Sequence, residues 1–107
     1  MNETFRCVNL NVHYSAPKHI WQKISAVFKS MDYYDESSSV PRWETQDFYV
    51  EYSLEPSGMQ FSSNLPDPPL WQQWYGELKK RLTDTLGYQI GEPENGFDFF
   101  YDWKDEN

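Results

Sequence analysis

The chain has 107 residues, one cysteine, and 17 Asp and Glu against nine Lys and Arg, for a formal charge of -8. That length suits one domain spanning residues 1–107, and the charge opposes binding to nucleic acid or to an anionic membrane while favouring a basic partner. Cys7 has no second cysteine to bridge to, residues 1–6 lack the basic and apolar runs of a signal peptide, and no stretch reaches the about 20 apolar residues of a membrane span, so a cytoplasmic address is expected.

Three stretches read as connections, residues 35–41, 66–69 and 91–96, and regular segments lie between them. In the first, Val8, Leu10, Val12 and Tyr14 alternate with Cys7, Asn9, Asn11 and His13, the period of a half-buried strand over residues 5–14. Ser15 then offers an N-cap and Pro17 suits a first helical turn. Ile20, Ile24, Val27, Phe28 and Met31 recur at helical spacing, which predicts a helix over about residues 16–31. Alternation returns in Phe48, Val50, Tyr52 and Leu54 and, beyond Glu55-Pro56-Ser57-Gly58, in Met59, Phe61 and Leu65, the pattern of a hairpin. A second helix is signalled by Asp67 as a cap, Pro68 and Pro69 in the first turn and Gly87 as the stop, with Trp71, Trp74, Leu78, Leu82 and Leu86 as its buried stripe. Last, Phe97, Phe99, Tyr101 and Trp103 alternate with Asp98, Phe100 and Asp102, which reads as a ring-rich strand.

In order, these elements give β-α-β-β-α-β, an α+β fold with an antiparallel sheet and two helices on one face. The preferred arrangement is a ferredoxin-like split βαβ, and the same elements in another strand order are the alternative. The uncovered face would carry Asn9, Asn11 and His13, then Tyr49, Glu51, Ser53 and Glu55, then Asp98, Phe100 and Asp102. Acids beside rings make a docking surface: carboxylates steer a basic partner, and aromatic side chains supply the area buried on contact. Residues 98–107 hold four acids and four aromatics, so Tyr49, Glu51, Glu55, Asp98, Phe100, Asp102 and Trp103 are the expected partner-binding residues.

Signs of catalysis are sparse. Cys7 and His13 lie six residues apart on the expected strand, about 20 Å, too far to share a metal or to act as nucleophile and base. The chain has no Gly-rich phosphate loop, His-Glu-x-x-His or Cys-x-x-Cys, and Asp98 and Asp102 would stand about 13 Å apart. No catalytic residue, metal, cofactor or small-molecule substrate is therefore expected, and sheet aromatics without a basic background do not make an RNA-binding face. Two other readings stay open: an acidic adaptor or oligomeric subunit, and a small enzyme in which Glu92, Glu94 and His13 meet in space.

The profile of size, acidity and element order resembles the bacterial immunity proteins that neutralise polymorphic toxins, including those of contact-dependent growth inhibition. Pro68-Pro69-Leu70-Trp71-Gln72-Gln73-Trp74 and Phe97-Asp98-Phe99-Phe100-Tyr101-Asp102-Trp103 are the segments that carry the likeness. The resemblance implies a mechanism, in which an acidic surface occludes the basic active site or groove of a cognate toxin, often a nuclease. It transfers no individual residue.

Overall fold

A computed structural model describes residues 6–64, 68–100 and 103. Strand β1 (Arg6–Leu10) leads into helix α1 (Lys18–Ser30), followed by β2 (Arg42–Glu44), β3 (Tyr49–Glu55), β4 (Gly58–Ser63) and helix α2 (Pro68–Leu86). A single 3-10 turn, Pro93–Asn95, follows. The strands form one antiparallel sheet in the order β1-β4-β3-β2.

The α+β class, the antiparallel sheet and the two helices on one face stand as the sequence indicates. The order of elements differs: among the described residues it is β-α-β-β-β-α, and β1 pairs antiparallel with β4. The fourth strand is Arg42–Glu44, three residues too short to show a period, whereas residues 97–100 are not in a strand. Tyr101 and Asp102, expected in that last strand, lie outside the described residues, as do Leu65 and the Asp67 cap.

Alternation explains which side of the sheet is packed. Register pairs Val8 with Phe61, Leu10 with Met59, Tyr52 with Phe61 and Trp43 with Val50, so these side chains share one face. Trp43 is fully buried there. Its ring meets Phe28 of α1 at 5.2 Å and Trp74 of α2 at 5.2 Å, both near edge-to-face, and its indole N–H donates to Phe28 O at 3.0 Å. One strand thus touches both helices through one residue.

Helix α1 buries Ile20, Ile24, Val27 and Phe28 as its spacing predicts, and α2 buries Trp71, Trp74, Leu78 and Leu82 of its expected stripe together with Tyr75, while Leu86 is half-buried. Helix α1 starts at Lys18 with Pro17 as its N-cap and no side-chain cap. Ser15, expected to cap it, instead donates its backbone N–H to His13 Nδ1 at 3.1 Å. Gly87 ends α2 with φ +73, its N–H donating to Thr83 O at 2.9 Å.

β1 stops at Leu10, short of the expected Tyr14. Val12 N–H donates to Leu10 O at 2.9 Å, closing a tight turn that carries the chain off the sheet. Val12 is buried all the same, which carries the alternation past the end of the strand, but Tyr14 is 55% exposed.

Candidate functional site

The side of the sheet turned from the helices carries Arg42 and Glu44 from β2, Tyr49, Glu51, Ser53 and Glu55 from β3, Gln60 and Ser62 from β4, and Cys7 and Asn9 from β1. Tyr49, Glu51 and Glu55 are therefore on the expected face. Arg42 and Glu44 are the residues that sequence reasoning missed, because nothing marked residues 42–44 as a strand.

The two ends of this face differ in charge. Tyr49 and Glu55 are six residues apart on β3, about 20 Å at strand rise. At the Tyr49 end, Arg42 donates from Nε to Glu44 Oε1 at 3.0 Å and from Nη1 to Glu51 Oε2, with its guanidinium carbon 4.9 Å from the Tyr49 ring centroid. The hydrogen bond to Glu44, opposed by burial and then supported by Glu51, raises the Arg42 pKa further above its ordinary value. One arginine thus answers two carboxylates, and Glu51 is less free to meet a partner than its exposure implies.

At the other end Glu55 accepts a hydrogen bond from the Ser53 hydroxyl and pairs across the turn with Gly58. Gly58 has φ +118, and a Cβ there would stand 2.2 Å from Leu10 O, so a side chain is excluded on both counts. That close approach lets β1, the turn and the segment after α2 meet at one corner. The Phe99 ring lies against Gly58, 3.3 Å from where that Cβ would be, and 6.0 Å from the His13 ring.

Asn11 holds the segment after α2 in place. It is fully buried, not on the open face as its alternation with Leu10 predicted. Its amide donates to Gln89 O at 3.1 Å and Asp98 O at 2.9 Å, and its Oδ1 accepts from Gly91 N–H at 2.8 Å. Its backbone N–H donates to Gly91 O at 3.1 Å. Every polar atom of the buried amide group has a partner, as burial of a polar side chain requires.

Asp98 thereby reaches the corner: its carbonyl also accepts from Tyr88 Oη at 2.8 Å, and the residue is exposed. Phe100 does not point outward from a sheet. It packs 4.7 Å from Tyr88 and 4.8 Å from Trp103, and Trp103 packs against the core. Phe100 and Trp103, two of the three rings expected to hold a partner, are thus engaged within the chain, both against Tyr88. Asp102 lies outside the described residues.

The residues of the enzyme alternative have separate engagements. Glu92 accepts from Tyr75 Oη at 2.8 Å, and His13 Nδ1 lies 2.8 Å from the Ser15 hydroxyl. Burial, then the bond to Glu92, then the Glu92 and Glu94 charges push the Tyr75 pKa far up, so the phenol stays protonated. Among the described residues no group of three or more His, Cys, Asp or Glu converges as metal ligands do, and no helix is long and apolar enough to cross a membrane.

No family model, curated protein or solved structure matches the chain.

Proposed function

We propose that this chain is a cytoplasmic immunity protein, which binds a cognate bacterial toxin domain with a basic active site and blocks it by occlusion. The observation that carries this reading is the uncovered, polar side of the sheet, which among the described residues bears Glu44, Glu51 and Glu55 against one cation, Arg42, in a chain of net charge -8. A nuclease groove that holds phosphates presents Lys and Arg, and carboxylates on a flat face compete for the same groups, with fast and salt-sensitive association. The strands lend rigidity, since a face built on a sheet needs little ordering when it docks.

The test is to express the product of the reading frame immediately upstream in bacteria, with and without this chain, and then to titrate the purified pair at about 50 mM and about 300 mM salt. The expected result is that growth is arrested by the upstream product alone and restored by this chain, with a one-to-one complex that forms more slowly at the higher salt. An upstream product that is harmless, or toxic yet unbound by this chain, contradicts the immunity reading.

A further inference from the structure

The chain contains its own example of how its surface holds a cation. At the Tyr49 end a guanidinium lies over a ring and bonds two carboxylates, Glu44 and Glu51. The Glu55 corner has rings and acidic residues in one neighbourhood, without an arginine between them. The rings of His13 and Tyr14 lie 4.2 Å apart, tilted by 31°, Phe99 stands edge-on to His13 at 87°, and Tyr14 is 55% exposed. Phe99 ends this row of rings against Gly58, the cross-strand partner of Glu55, and Asp98 is its neighbour in the chain. Neither Glu55 nor Asp98 is ion-paired among the described residues, whereas Glu44, Glu51, Glu77 and Asp84 all are.

We propose that this corner receives an arginine side chain of a basic protein partner, its guanidinium plane against the exposed ring of Tyr14 and its charge answered by Glu55 and Asp98. This rests on the reading of a cationic protein partner and narrows it to one end of the face. Arginine fits better than lysine because its flat, weakly hydrated head stacks on a ring while its N–H groups reach carboxylates. The Tyr49 end contributes less to the contact, because its ring and acids are already filled from within.

The experiment is an NMR titration of the whole chain at low salt with hexa-arginine, and with hexa-lysine for comparison. Amide shifts at Tyr14, Glu55, Gly58 and Phe99 should move, while those at Arg42, Glu44, Tyr49 and Glu51 stay. Hexa-lysine should bind more weakly. The double variant Glu55→Gln with Asp98→Asn should bind hexa-arginine about tenfold more weakly, and Tyr14→Ala about threefold more weakly. Shifts centred on residues 42–51, or a double variant that binds like the parent, overturn the corner proposal and leave the cationic-partner reading standing. No binding of hexa-arginine anywhere at low salt overturns both.

Discussion

The two ends of the open sheet face share strand β3 and the same residue types, rings and carboxylates, yet one holds an arginine between its acids and the other does not. At one end Arg42 lies on Tyr49 between Glu44 and Glu51, whereas at the other the rings of His13, Tyr14 and Phe99 stand with Glu55 and Asp98 and no described cation pairs with the acids. What separates them is the covering of the edges. The edge of β2 is covered by the loop before it, through Asp35 N–H to Arg42 O at 2.8 Å and Glu44 N–H to Tyr33 O at 2.9 Å, which fixes Arg42 where it can reach both acids. The Glu55 corner is assembled from three separate segments, and the one after α2 is held there by the Asn11 side chain, with Tyr88 Oη on the same Asp98 carbonyl.

Asn11→Ala should therefore have the largest effect on the comparison. It strands the buried Gly91 N–H and takes the amide donor from the Gln89 and Asp98 carbonyls, at a cost of about 2 kcal/mol, readable as a lower urea midpoint. Faster amide exchange at Gly91 should accompany it, with the Arg42 end undisturbed. Equal loosening at both ends would show that Asn11 supports the whole fold and not the corner. Gly58→Ala comes next, at about 2 kcal/mol, since it forces a side chain into a left-handed backbone and onto Leu10 O. A Gly58→Ala variant with an unchanged thermal midpoint would mean that the hairpin and Leu10 are not in close contact.

Between the ends, on the packed face, burial pushes the Tyr52 pKa up to about 12 from an ordinary 10.0. The folded state holds this proton more tightly than the unfolded state, so its contribution is complete below pH 10 and is lost as pH rises towards 12. Tyr75 shifts in the same direction. Stability to urea should thus decline with alkali from about pH 10. An absorbance titration in which all eight tyrosines ionise together near pH 10 with the fold intact would contradict the burial of Tyr52.

The sequence disclosed those parts where one period runs long enough. The stripes of α1 and α2 and the β3–β4 hairpin are legible because Ile20 to Phe28, Trp71 to Leu82 and Val50 to Phe61 repeat against a packed face. Residues 8–14 misled for a physical reason: Val12 is buried after the strand has ended, by contacts unrelated to the pleat, so alternation outlives the strand. Phe99 and Phe100 could not be assigned to sides from alternation, because residues 97–100 are held by Asn11 and Tyr88 and not by a ladder. Of the expected partner-binding residues, Tyr49, Glu51 and Glu55 share a face as read, and Phe100 and Trp103 are packed on Tyr88. That Glu51 is already paired depended on recognising Arg42 as its cross-strand partner, which a three-residue strand conceals.

If Arg42 keeps a second cation from the Tyr49 end, its removal in Arg42→Gln should open that end. Loss of exposed ion pairs should change stability by less than about 1 kcal/mol, so the variant remains a folded protein. In an NMR titration with hexa-arginine, the account predicts that Arg42→Gln gains a second set of shifts at Glu44, Tyr49 and Glu51 while keeping those at Tyr14, Glu55 and Phe99. A variant whose shifts remain confined to the parent's pattern would contradict it, showing that the two ends differ in shape and not in whether an arginine already occupies them.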